Sequence, residues 1–233
     1  MYFPILDWEF CPEGVELAPA TADEGSDRVY RYRSDKRKAV RYELINLETP
    51  IALAFANART DADRVAFFSR YGLIVRPTKH VWHYTQLGPE RDWWPPLSAE
   101  RVYLEHSLIQ ALITTIGRID SKDPGAAIET AENALARVSL TPTLDHRQGH
   151  PRLTVKVDSL FDFMLMEVAL IGVEGARCSS CARCGTMFVT GPKTGRRSSA
   201  VYCSDRCRVA AMRQRQKSCE ESPGEPVGSP PLR

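Results

Sequence analysis

The sequence has no apolar run of the roughly 18 residues that a membrane-crossing helix needs. Its most apolar stretch, 160–173, is interrupted by Asp162 and Glu167. The opening residues, Met-Tyr-Phe-Pro-Ile-Leu-Asp-Trp-Glu, lack the basic start of a secretory leader. There is no P-loop, no Gly-rich dinucleotide turn, no nucleophile motif and no internal repeat. These absences point to a cytoplasmic protein with no membrane partner and no enzymatic activity. Cysteine is scarce, at 7 of 233 residues, but it is concentrated. Cys178, Cys181, Cys184, Cys203 and Cys207 fall within one short stretch, while Cys11 and Cys219 stand apart and read as free thiols. In a reducing compartment, clustered cysteines favour metal binding over disulfides.

Acidic residues are also nearly absent from one region. Residues 177–217 contain 10 Lys+Arg and a single acid, Asp205, for a charge of +9. Residues 1–176 carry −5 and residues 218–233 carry −2, so the overall +2 conceals a strong asymmetry. A basic module on a mildly acidic body points to a polyanionic partner.

The expected class is α+β, with a mainly helical N-terminal domain (1–176) that has short strands, a small zinc finger (177–217) and a disordered tail (218–233). Alternating residues predict strands at 29–33 and 40–45, and a hairpin from 140–144 and 153–157. Thr60 caps a predicted helix that runs to Tyr71. Ser98 caps a long one with Leu104, Leu108, Leu112 and Ile116 on its apolar face, and Pro124 opens a third. The apolar helix at 158–173 is predicted to be the buried centre. His80 with His83 and His146 with His150 have no neighbouring Glu in zinc-protease spacing, so they read as ordinary polar histidines. Trp82, Trp93 and Trp94 lie beside Pro95-Pro96 and read as a structural aromatic cluster.

The chemistry-bearing motif is Cys181-Ala-Arg-Cys184-Gly-Thr-Met-Phe188, followed by Cys203-Ser-Asp-Arg-Cys207. Two short-spaced cysteine pairs supply four thiolates, which close a tetrahedral Zn²⁺ shell and leave no open position for catalysis. Gly185 suits the tight turn after the first pair. Phe188 is predicted to start a hairpin with its loop at 190–199 and its return at Val201-Tyr202. Cys203 and Cys207 are four residues apart, on one face of a helix start. Cys178 creates a second Cys-x2-Cys register, so it remains an alternative to Cys181 as a ligand. Arg206, Arg213 and Lys217 form one stripe of the helix, and Arg208 and Arg215 lie nearly opposite. Val209 and Met212 point away from the metal, towards a surface where the larger domain could pack. Together with Arg196 and Arg197 in the hairpin loop, these cations are the expected nucleic-acid contacts.

The stretch Arg177-Cys-Ser-Ser-Cys-Ala-Arg-Cys-Gly-Thr-Met-Phe, then Gly195-Arg-Arg and Tyr202-Cys-Ser, resembles the bacterial CGNR-type zinc finger. Upstream, Ala54-Phe-Ala-Asn-Ala-Arg59 and Tyr71-Gly-Leu resemble the ABATE domain that precedes that finger. The chain departs from the family's tetrad, reading Cys207-Arg-Val-Ala210. The resemblance implies a stress-induced transcription regulator whose divergent treble-clef finger contacts DNA, while the N-terminal domain senses a signal or forms a homodimer. The competing expectation is a protein-interaction or ligand-binding protein in which zinc is purely structural.

Overall fold

The computed structural model describes residues 4–21, 26–44, 47–75, 96–118, 124–136, 138–145 and 149–221. His80, Trp82, His83, Trp93, Trp94, His146 and the tail from 222 onward lie outside the described residues. His150 is exposed.

Two sheets organise the N-terminal part. Strands β1 (Pro4–Phe10), β4 (Lys38–Glu43), β6 (Leu140–Asp145) and β7 (Arg152–Val157) form the first, in the order β4-β1-β7-β6. β1 pairs antiparallel with β4, and β6 antiparallel with β7. The two pairs join through a parallel contact between β1 and β7, with Pro4 opposite Val155. Strands β2 (Val15–Pro19), β3 (Arg28–Tyr32) and β5 (Leu97–Ser98) form the second, antiparallel sheet. The predicted strands at 29–33 and 40–45 exist as β3 and β4, but they belong to different sheets. With seven strands in its two sheets, this part is not mainly helical, contrary to expectation. The extra strands, β1 and β2, bring Leu6, Trp8 and Val15 into one core. On the outer face of the first sheet, Asp7 pairs with Arg41 at 2.7 Å and with Lys156 at 3.3 Å.

Helices α1 (Ile51–Ala56), α2 (Asp61–Tyr71), α3 (Ala99–Arg118), α4 (Pro124–Leu135) and α5 (Leu160–Val173) surround that core. α2 starts with a complete capping box: the Thr60 side chain accepts from the Asp63 N–H, and the Asp63 carboxylate accepts from the Thr60 N–H. Gly72 ends it at φ 94°, and a Cβ there would sit 2.6 Å from the Glu9 carbonyl, so only glycine fits. α3 turns a different face inward from the predicted one. Val102, His106, Ile109, Ile113 and Ile116 are buried, while Leu104 is 61% exposed. α5 is the buried centre, capped by Ser159, which accepts from the Asp162 N–H.

Within α5, Glu167 is buried and reaches across to the start of α1. Its two carboxyl oxygens accept from the Ile51 N–H at 3.0 Å and the Ala52 N–H at 2.7 Å. The residue before α1 is Pro50, which has no capping side chain. A carboxyl on another helix therefore satisfies the free N–H groups that every helix start leaves.

Candidate metal centre and basic helix

Strands β8 (Arg177–Ser180) and β9 (Met187–Thr190) pair antiparallel, with Ser180 opposite Met187. The turn between them contains Cys181 and Cys184. It closes through the Gly185 N–H donating to the Cys181 carbonyl and the Cys181 N–H donating to the Thr186 carbonyl, both at 2.9 Å. Gly185 takes φ 69°, a conformation that favours glycine. Beyond β9, only a single bridge joins Gly191 to Arg196. The predicted return strand at 201–202 is absent; instead the Val201 carbonyl accepts from the Ala182 N–H, tying the chain back to the turn. The partner of β9 is thus the strand before the cysteines, because the turn itself makes the hairpin.

Helix α6 (Asp205–Glu221) follows and runs four residues past Lys217, into the segment expected to be disordered tail. Ser204 caps it, accepting from the Cys207 N–H at 3.3 Å, so one turn fixes both the helix start and a ligand. Arg196 braces the loop between. Its guanidinium donates to the Cys203 carbonyl and lies 5.4 Å from the Phe188 ring centre. Thr194, buried beside it, accepts from the Arg196 N–H.

The sulfurs of Cys181, Cys184, Cys203 and Cys207 all lie within 4.8 Å of one another. Individual separations are 3.5 Å for Cys184–Cys203, 3.6 Å for Cys203–Cys207 and 3.8 Å for Cys207–Cys184. A tetrahedral ion bonded to four sulfurs at about 2.3 Å sets its ligand edges at about 3.8 Å. The three separations among Cys184, Cys203 and Cys207 match such edges, and with Cys181 within 4.8 Å of each the four cysteines could hold a metal ion. Burial works against the Cys181 thiolate, but the backbone N–H groups around it outweigh burial and bring the thiol down to about 6. Burial, reinforced by the neighbouring thiols, pushes Cys203 up to about 12. Four thiols at such distances cannot all ionise without a cation between them.

Cys178 is excluded from this group. It lies in β8, faces the main core with Val189, and burial holds its thiol at about 12. Of the two registers open in the sequence, the structure assembles the one with Cys181.

The module is fastened to the rest of the chain by contacts that sequence reading missed. The Asn57 side chain, just past α1, makes two hydrogen bonds to Met187 in β9: Nδ2 donates to its carbonyl at 2.9 Å, and Oδ1 accepts from its N–H at 2.8 Å. Arg59 donates to the Gly185 carbonyl. Lys193 pairs with Glu174 at 2.6 Å. A polar residue directly after an apolar helix carries no signal of a partner 130 residues away.

The expected nucleic-acid contacts divide into two groups. Arg196 is occupied in the finger's own structure. Arg208 pairs with Asp205 at 3.1 Å on an exposed surface, a contact of little energetic weight. Arg197, Arg206, Arg213, Arg215 and Lys217 are exposed, and no carboxylate among the described residues pairs with them. Val209 and Met212 are exposed, and among the described residues α6 packs against the finger through Cys207, which clusters with Cys181 and Phe188. No described helix is long and apolar enough to cross a membrane. No protein-family model, curated protein or solved structure matches the chain.

Proposed function

We propose that the chain is a zinc-containing, DNA-binding transcription regulator. Zn²⁺ is the ion for Cys181, Cys184, Cys203 and Cys207, since four thiolates at tetrahedral spacing suit a closed structural zinc site. Turn, hairpin and ligand-bearing helix together make a treble-clef-like finger. When bound, the ion supplies a fixed anchor for the start of α6 and performs no chemistry. The N-terminal α+β part senses a signal or holds a second copy, and catalysis has no place in the scheme.

The observation that carries this reading is the state of α6. Apart from half-buried Ala210 and Ala211, it is exposed from Arg208 to Lys217, and it presents cations on two edges. A helix polar on nearly all sides has no reason to form on the protein's own surface and finds its counter-surface in a partner. Duplex DNA offers phosphates on both sides of a groove, and the module's charge of +9 falls only to about +7 with four thiolates and one Zn²⁺. The competing interaction-protein reading required Val209 and Met212 to hold α6 against the body, and both are exposed.

The test is duplex binding against salt. Each phosphate neutralised contributes about 0.9 to the slope of log K against log salt. With roughly four of the five unpaired cations engaged at once, the slope is about −3.6. Replacing Arg213 and Lys217 with Ala flattens it by up to ~2 and weakens all sequences alike. A slope near zero, or no binding to any duplex at low salt, rejects the proposal.

A further inference from the structure

At 100° per residue, the side chains of α6 divide its circumference into sectors. Cys207, Ala210, Ala211 and Gln214 share the side that turns towards the finger; Cys207 is buried and the two alanines are half-buried. The opposite side carries Val209, Met212 and Gln216, with Asp205 in its first turn, where the carboxylate pairs with Arg208 at 3.1 Å. Val209 is 38% exposed, Met212 is 51% exposed, and Gln216 is exposed. Arg213 borders this face on one edge, and Arg208 and Arg215 border it on the other. A Val–Met pair at i and i+3 between rows of arginine is an apolar face that no described part of the chain covers.

We infer that this is a base-reading face: α6 enters the major groove of duplex DNA with Val209, Met212 and Gln216 towards the base edges and its arginine edges towards the phosphates. The inference rests on the DNA-binding reading above and adds to it the groove, the side of the helix and the residues that confer sequence preference. The dimensions agree, since a helix with its side chains is about 10–12 Å across and the major groove about 12 Å wide. The chemistry also agrees. Apolar side chains meet the thymine methyl, a feature of the major groove, and a glutamine amide can pair with the N6 and N7 edge of adenine. The deep, narrow major groove of duplex RNA does not admit a helix. A second copy is a poor occupant of the same face. Residues 205–217 carry five Lys+Arg and one acid, so two such helices laid together would bring like charges into contact.

The experiment uses full-length, zinc-loaded protein. A preferred site is selected from a randomised duplex pool, and its affinity is compared with that of a scrambled duplex and of the same site with uracil in place of thymine. The expected result is a preferred site containing thymine and adenine. Uracil weakens the wild type by about threefold to fourfold per methyl group contacted. Met212→Ala removes most of that uracil effect. Gln216→Ala reduces the preference over the scrambled duplex by roughly 5- to 30-fold. Both variants keep the wild-type salt slope, because neither carries a charge. Alanine favours helix, and helical circular dichroism with one zinc per chain verifies that each variant is intact. If the protein binds every duplex equally and the variants change nothing, the base-reading inference is overturned while phosphate binding stands. If no duplex binds, the DNA-binding reading itself fails. If the wild type is instead a dimer that Met212→Ala dissociates, the face belongs to a second copy and the inference is overturned.

Discussion

Glu167→Gln should change how stability depends on pH, by an amount set by the burial of the carboxyl. Burial pushes Glu167 from 4.5 up to about 8, against the Ala52 and Ile51 N–H groups, which favour its charged form. The unfolded chain loses this proton near 4.5, whereas the folded chain keeps it to about 8. The folded value is raised, so the group's full contribution is present below 4.5 and is lost as pH rises through 8. Between pH 5.5 and 7.5 that loss comes to about 2 kcal/mol, at up to ~1.4 kcal/mol per pH unit. Glutamine is neutral throughout and offers one oxygen, so it keeps one N–H bond and turns its amide NH₂ towards the other. At pH 5.5 the variant should be less stable than the wild type by about 1–3 kcal/mol. By pH 7.5 the wild type should have given up most of that advantage. Urea unfolding at both pH values measures the two gaps, and comparing the variant with the wild type cancels the titration of Glu105, Asp162 and His106. A gap that stays constant within about 0.5 kcal/mol would falsify the protonated-carboxyl account and show that the two N–H groups hold Glu167 as an anion.

Purified protein should carry about one Zn²⁺ per chain; Cys203→Ser should lose it, while Cys178→Ser and Cys219→Ser should keep it. Freshly reduced protein without zinc by elemental analysis would sink the metal-centre reading. Chelation should release α6, removing about a fifth of the helical circular dichroism and leaving the rest, because β8 and β9 place Cys178 and Val189 in the main core. A collapse of the whole helical signal would show that the metal supports the body as well. Asn57→Ala should cost about 1–3 kcal/mol and speed hydrogen exchange at the Met187 amide, since it removes both partners of that backbone unit. Unchanged exchange there would mean that β9 is held by β8 alone.

What the sequence revealed was local. The Thr60 cap, the hairpin of β6 and β7 and the four cysteines each depend on spacings of a few residues, and a linear reading recovers them. The Cys178 ambiguity was local too, and only packing resolved it: alternation along β8 turns Cys178 into the core, while the turn after it brings Cys181 to the metal side. Long-range pairings left no trace. β1 and β2 were not predicted, because their partners are 28 or more residues away for β1 and across a loop for β2. α3 was rotated in the reading because Leu104 was counted as core; β-branched Ile109 and Ile113 fill it together with the expected Ile116, and Leu104 faces out. Glu167 read as a break in an apolar helix; its role depends on an α1 start that lies 115 residues earlier. Arg196 read as one cation among seven, since nothing in its neighbours announces that its guanidinium braces the Cys203 carbonyl.

The parallel seam between β1 and β7 has a consequence for how the chain is made. Pro4 and Ile5 pair with Val155 and Lys156, so the first sheet cannot close until some 150 further residues have left the ribosome. β1 can pair with β4 once the segment holding β2 and β3 has emerged, but its other edge must wait with its backbone groups unpaired. At synthesis rates of 5–20 residues per second that wait is on the order of ten seconds or longer, far beyond the microseconds a hairpin needs. The last β-strands and α5 therefore complete the body just before the cysteines emerge, so the finger is presented with a finished surface, Asn57 and Arg59 included, on which to settle.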